Sequence, residues 1–294
     1  MYSLDTLLTP RIELWQTVPL VLAYLTTFLF AAAYLRWKAC QRLNMTTDER
    51  SWTFSSRQGS SLLQQLERKF SLKQIRLLDG VPRKGYHFAS SLGQIIIGTY
   101  LIQDLSLTAQ TFLTANLLLF VGAALCLKVD SIRSPAFLFY GGIGRIRDGR
   151  LARSNALSAR GATLAGILCV SALGTSFVPQ VPADQLKFLI PLVYFPIAFG
   201  DAMGEIVGAA FGRHQFRVWG IGERNIKSVE GTVAVLLFSI VPLLLVTGFR
   251  SDLLLLVMTI GIVSTIVELA SPRGTDNFFL PVANCLVLFL HYTG

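Results

Sequence analysis

Eight apolar runs close to bilayer thickness divide this chain, at residues 18–35, 88–104, 109–127, 161–178, 186–208, 232–249, 252–269 and 278–291. A spanning helix needs about 20 predominantly apolar residues, with a range of about 17–25. The runs therefore predict an all-α, polytopic transmembrane helix bundle. The count is seven or eight, because 278–291 is short and 88–104 carries Gln94 and ends at Asp104. Composition agrees. Only 15% of residues are charged and 52% are hydrophobic, with a mean hydropathy of +0.55, whereas soluble domains carry about 25% charged residues. The first seventeen residues hold Asp5, Arg11 and Glu13 and no basic leader pattern, so the first run reads as a retained anchor rather than a cleaved signal. No internal repeat or low-complexity tract is visible. Cys40, Cys126, Cys169 and Cys285 are scattered without metal-ligand spacing, which predicts neither a disulfide nor a zinc site.

Charge sets the expected topology. Of the 26 lysines and arginines, one precedes the first run, eleven lie in 36–87, none in 105–108 and seven in 128–160. One more sits at 187, four in 213–231, one at 250 and one at 273. Alternate connections thus hold 23 on one side and three on the other. By the positive-inside rule the rich side is cytoplasmic and the N-terminus lies outside. The net charge of +9 is then a topology signal, with attraction to anionic headgroups second and nucleic acid the poorer explanation. Two parts are expected: an anchor helix with a cytoplasmic amphipathic segment over 1–82, and a membrane-embedded domain over 83–294. Within 36–82 the apolar face of the amphipathic segment is Leu62, Leu63, Leu66, Phe70 and Ile75, suited to the headgroup plane.

The polar residues that interrupt the membrane sequence fall on the basic side. Asp201 and Glu205 are four apart and stack on one helical face. Gly200, Gly204, Gly208 and Gly212 form the adjoining ridge, and small residues at that spacing let a neighbouring helix approach. Ionisable groups in a membrane helix are costly and usually mark a site. A carboxylate pair also suits Mg²⁺, which takes one or two carboxylates plus substrate phosphates, although an interfacial salt bridge is the plainer alternative. "VPRKGYHF" places Arg83, Lys84 and His87 at the entry to the second helix, where a basic headgroup anchor is the alternative reading. "NIKSVEGT" places Lys227, Ser228 and Glu230 before the sixth helix, with Lys227 and Glu230 close enough to pair with each other. "ELASPRGTDNFFLP" places Glu268 at the inner end of the seventh helix, and Asp276 and Asn277 at the start of the eighth, where Asp276 suits a helix cap. His214 and His291 have no ligand-spaced partner and read as surface or interface residues.

These motifs, in this order, resemble the polyprenol kinase family, which includes dolichol, phytol and farnesol kinases and a CTP-using diacylglycerol kinase. The resemblance covers roughly 83–291. "RKGYH" is similar to the family's Arg-Lys-x-x-His, and "GDAMGEIVGAAFG" to its Gly-Asp-x-x-Ala-Asp-x-x-Gly helix, with Gly204 for Ala and Glu205 for Asp. "KSVEGT" matches Lys-Ser-x-Glu-Gly-Ser/Thr, and "DNFFLP" matches Asp-Asn-x-x-x-Pro. More weakly, "LARSNALSARGATLAGIL" resembles an arginine-and-glycine helix entry and draws attention to Arg153 and Gly161. Many members carry two basic residues where this chain has Lys227 alone.

The resemblance implies transfer of a nucleotide's γ-phosphate, usually from CTP, to the hydroxyl of a membrane-dissolved lipid alcohol. It implies Mg²⁺ on Asp201 and Glu205, with Glu268 as a further metal ligand. Lys227, Arg83 and Lys84 would lie on phosphate oxygens, and Ser228, Glu230, Asp276 and Asn277 around the nucleotide or second metal face. His87 would orient a phosphate, and the glycine ridge would admit phosphates or a headgroup to the backbone. Phosphoryl transfer suits such a set, because it needs positioned cations and an aligned hydroxyl more than covalent help. Two other readings share parts of this pattern. A phosphatidate cytidylyltransferase is also membrane-embedded and uses CTP with Mg²⁺, but attacks the α-phosphorus. A transporter with midplane carboxylates usually shows inverted repeats, and none is visible here.

Overall fold

The computed structural model describes residues 13–46, 68–102, 104–126, 152–218, 225–271 and 275–294. Nine helices lie among them. They are α1 (Leu14–Arg42), α2 (Leu72–Ile96), α3 (Leu105–Cys126), α4 (Ala152–Phe177), α5 (Leu189–Phe195), α6 (Ala202–Phe211), α7 (Val229–Thr247), α8 (Ser251–Ala270) and α9 (Asp276–Thr293). A π-helical turn, Ile97–Ile102, continues α2, and a second, Pro196–Asp201, joins α5 to α6. A two-stranded antiparallel ribbon of β1 (Gln215–Val218) and β2 (Asn225–Ser228) links α6 to α7. The fold class is all-α apart from that ribbon.

Six helical stretches are long and apolar enough to cross a membrane: Leu14–Arg42, Leu105–Cys126, Asn155–Gln180, Leu186–Phe211, Val229–Thr247 and Ser251–Ala270. The two remaining expected spans fall short for physical reasons. The second is the end of α2, whose first half is polar, and the last is α9, whose 18 residues include the polar Asp276, Asn277, Asn284 and His291. Both nevertheless pack in the bundle. Leu186–Phe211 is 72% buried, against 39% or less for the other five, so it is the central element. Leu192, Phe195, Ala198, Ile240, Leu243, Ile260, Cys285 and Leu288 build the main core around it.

Side-chain contacts fix how the helices run. Gly166 of α4 lies against Asn277, Phe278 and Pro281 of α9, Cys285 Sγ meets the Val170 carbonyl, and Phe177 stacks on Tyr292. Helices α4 and α9 are therefore parallel, with both starts at one end of the bundle. At the other end Arg250 binds Asp184 and Asp252, and Gln185 bridges Asp252 to Tyr292.

Helices α1 and α2 pack antiparallel. The Tyr24 hydroxyl donates to the Ala89 carbonyl at 2.6 Å. Ile75 and Leu78 are buried with Cys40 and Met45, and Phe70 packs beside them. Phe70 and Ile75, expected on a face lying in the headgroups, thus pack against α1 instead. Leu62, Leu63 and Leu66 lie outside the described residues. Helix α2 begins eleven residues before Arg83 and runs unbroken through Pro82. Arg83, Lys84 and His87 consequently sit in mid-helix and not at a helix entry, and position 82/83 falls inside α2.

Candidate active site

The carboxylates owe their placement to two adjoining faces of α6 and the π turn that leads into it. The glycine face is filled by α7. A Cβ on Gly204 would lie 2.3 Å from Val235 Cγ2 and 3.3 Å from the Gly231 carbonyl oxygen, and one on Gly200 2.2 Å from Ser239 Oγ. A Cβ on Gly208 would lie 3.1 Å from Ser228 Oγ and 3.6 Å from Gly231 Cα. Close helix packing, rather than room for phosphates, accounts for the ridge. The next face carries Asp201 and Glu205 and turns towards α2. There Gly80 makes room, since a Cβ at that position would stand 3.4 Å from Glu205 Oε1.

Lys84 is the centre of the resulting cluster. Its ammonium is 1% exposed and ion-pairs with Asp201, and it lies 3.6 Å from Glu205 Oε2 and 3.9 Å from Asp276 Oδ2. Arg83 pairs with Glu205. His87 Nδ1 stands 3.2 Å from Asp201 Oδ2, beside the Lys84 contact. Residues from α2, α6 and the first turn of α9 thus meet at one point, although 122 positions separate Arg83 from Glu205. A buried lysine among three carboxylates and a histidine is a dense, desolvated charge network. Removing one partner from such a network is costly, because the remaining charge stays buried. Two buried polar atoms here, Arg83 Nε and Asn277 Oδ1, have no hydrogen-bond partner among the described residues.

The other expected residues divide. Lys227, on β2, does not pair with Glu230. Its ammonium binds the Glu268 carboxylate and also donates to the Glu268 main-chain carbonyl at 3.1 Å, so it caps the C-terminal end of α8. Strand pairing sets Lys227 opposite Phe216 on β1, while Glu230 belongs to the first turn of α7 and accepts from His214 Nδ1 at 2.8 Å on the protein surface. Glu230 is therefore not brought to the cluster. Ser228 is the N-cap of α7, its Oγ accepting from the Gly231 N–H at 3.1 Å. Thr275, and not Asp276, occupies the N-cap position of α9, and Asp276 Oδ1 accepts from the Asn277 N–H at 3.1 Å. That leaves Oδ2 of Asp276 facing Lys84. Arg153 lies on α4, but its side chain is outside the described residues, and Gly161 faces Phe120 at 3.8 Å.

Asp201 and Glu205 fit one kind of metal site. Among the described residues no three His, Cys, Asp or Glu side chains are arranged to enclose an ion by themselves. Glu268, expected as a third ligand, is held by Lys227 instead. The pair matches Mg²⁺ bound through one or two carboxylates, with phosphate oxygens and water completing the shell, and does not match a structural metal.

One residue escaped the sequence reading. Arg160 is 8% exposed in α4, and its guanidinium donates to the Tyr86 hydroxyl at 2.6 Å while lying 5.3 Å from that ring's centre. Its position at the edge of an apolar run was the available signal.

No family model matches the chain, and no solved structure matches it. Over 95 residues it is 34% identical to a Synechocystis protein named phytol kinase, in a segment covering 31% of this chain. The chain spans 39% of the length of that relative. This partial likeness supports a kinase and a membrane-lipid setting, in line with six apolar helices of spanning length.

Proposed function

We propose that the protein transfers the γ-phosphate of a nucleotide, CTP by preference, to the hydroxyl of a membrane isoprenoid alcohol of the phytol, farnesol/geranylgeraniol or dolichol type. We further propose that eight helices cross the membrane with the N-terminus outside, so that the charged cluster faces the cytoplasm. The observation that carries the reading is the convergence of Arg83, Lys84 and His87 with Asp201, Glu205 and Asp276 inside an otherwise apolar bundle. The likeness to a phytol kinase points the same way.

In this reading Arg83 and Lys84 exchange carboxylates for phosphate oxygens when nucleotide arrives. Arg83 offers a planar fork and Lys84 a compact point charge. The acceptor hydroxyl attacks the γ-phosphorus, the bond from that phosphorus to the β–γ bridging oxygen breaks, and the nucleoside diphosphate leaves. The hydroxyl proton passes to the Asp201 carboxylate, which His87 orients. Mg²⁺ held by Asp201 and Glu205 supplies positive charge against the oxygens that gain charge in the transition state. Asp276 holds Lys84 in register, and Lys227, set by Glu268 beside α8, reaches the nucleotide. Low dielectric in the bundle strengthens each of these contacts.

The test is purified protein in nanodiscs with γ-labelled CTP and a panel of phytol, farnesol, geranylgeraniol, dolichol and diacylglycerol. Label entering the organic phase with an isoprenoid alcohol is the expected result. Label remaining in water with every alcohol would sink the proposal.

A further inference from the structure

We infer that Arg160, with Tyr86, forms a binding site for a phosphate oxygen. Arg160 is more than nine-tenths buried, yet among the described residues no carboxylate lies within ion-pair distance of it. Its one hydrogen-bond partner among the described residues is a neutral phenol, which also lends its ring face. The cations of the neighbouring cluster each have an acid: Lys84 has Asp201, Arg83 has Glu205 and Lys227 has Glu268. A cation buried in low dielectric without an anion is expensive, and one inside a membrane helix marks a site by default. The guanidinium carries five donors, and the Tyr86 hydroxyl uses one of them.

Position supplies the second argument. Tyr86 is two residues beyond Lys84 on α2, between Lys84 and His87. On α4, Gly166 is level with Asn277, because a Cβ there would lie 2.8 Å from the Asn277 carbonyl oxygen. Arg160 precedes Gly166 by six residues, about 9 Å along the helix, towards the end where α4 and α9 both begin. It therefore stands beyond the start of α9, against Tyr86, whose side chain leaves α2 on the face away from Lys84. The ligand class is an anionic phosphate, supplied by a nucleotide's phosphate chain or by the headgroup of a phosphorylated lipid. For the nucleotide, the inference rests on the kinase reading; the anion site itself does not.

Equilibrium binding of labelled CTP and of tripolyphosphate, to protein in phosphatidylcholine nanodiscs, tests it. Arg160→Gln should raise Kd for both about tenfold or more, the loss expected for a hydrogen bond to a charged group. Arg160→Lys should fall between, keeping charge without the fork. Tyr86→Phe, which keeps the ring, should change Kd less than Arg160→Gln. A parallel arm compares thermal unfolding in nanodiscs with and without phosphatidate. Unchanged CTP affinity with loss of the phosphatidate effect in Arg160→Gln would assign the phosphate to a lipid, and still support the site. Wild-type responses to CTP, tripolyphosphate and phosphatidate in Arg160→Gln would overturn it. Should Arg160→Gln not fold, Arg160→Lys decides, and wild-type behaviour there overturns the inference equally. A protein that phosphorylates no alcohol but loses tripolyphosphate binding in Arg160→Gln keeps this site and loses the kinase reading. Normal phosphorylation with unaltered Kd and an unaltered phosphatidate response in the variant does the reverse.

Discussion

The two ends of the bundle both carry arginine–carboxylate clusters, and they differ in what surrounds them. At one end Arg250 binds Asp184 and Asp252, whose side chains are 60% and 45% exposed, and these partners hold the guanidinium above its usual range through hydrogen bonding. Water screens such pairs, and their net contribution is small. At the other end Lys84 is almost wholly buried and Asp201 is 5% exposed in its side chain, with Glu205, Asp276, His87 and Arg83 around them. Both clusters pair cationic side chains with carboxylates, so charge alone does not separate them. Burial does. A charge that a membrane protein keeps out of water at such cost is retained for chemistry or for a ligand, whereas surface pairs at a loop need no such reason.

The sharpest way to break this contrast is to neutralise one acid at each end. On the proposed reading Asp201→Asn would remove a metal ligand and the proton acceptor, and a loss in kcat/KM on the order of 10²-fold or more is expected. Lys84 keeps Glu205 and Asp276 within 4 Å, so the folded bundle should survive, as a cooperative thermal transition would show. Activity within threefold of wild type would return the buried cluster to a packing role.

Lys227 tests the border between the two kinds of cluster, since it is partly exposed and paired. If it only ties β2 to the end of α8, Glu268→Gln, which still accepts from it, should leave activity unchanged. If it meets nucleotide, Lys227→Arg should raise the KM for CTP roughly tenfold with kcat less affected, because the wider fork replaces a compact ammonium. Steady-state kinetics at varied CTP distinguish these outcomes.

A smaller effect separates packing from chemistry along the same helices. Gly204→Ala drives a Cβ into Val235 and should cost about 1–3 kcal/mol as overpacking, read as a lowered Tm. Gly85→Ala meets nothing within 4 Å and should change stability by less than about 1 kcal/mol. Smallest of all, Arg250→Gln at the far end should leave kcat/KM unchanged and shift Tm by no more than a few degrees. A large loss of activity there would dissolve the contrast between the ends.

What the sequence disclosed follows from where the signal was local. Asp201 and Glu205 stood out because they interrupt an apolar run at helical spacing, and the glycine ridge was legible as a packing face by the same spacing. Contacts between distant segments were not legible. Lys227 and Glu230 are close enough in the chain to pair, but strand geometry and the turn into α7 send the two apart, to Glu268 and His214 respectively. Proline and glycine in "DGVPRKG" read as a helix entry, yet α2 runs through them, as membrane helices tolerate when neighbours cover the freed backbone. Arg160 was counted with loop charges because it sits at the edge of its run. The π turn that delivers Asp201 from α5 has no local sequence mark at all.

The central claim is that the buried cluster carries γ-phosphate transfer, and CTP labelled separately at the α and γ positions tests it most directly. With wild-type protein, Mg²⁺ and an isoprenoid alcohol, the account predicts γ-label in the lipid phase and α-label in aqueous CDP, and neither transfer with Asp201→Asn. Appearance of α-label in a lipid product with release of pyrophosphate, or γ-transfer undiminished in Asp201→Asn, would contradict it.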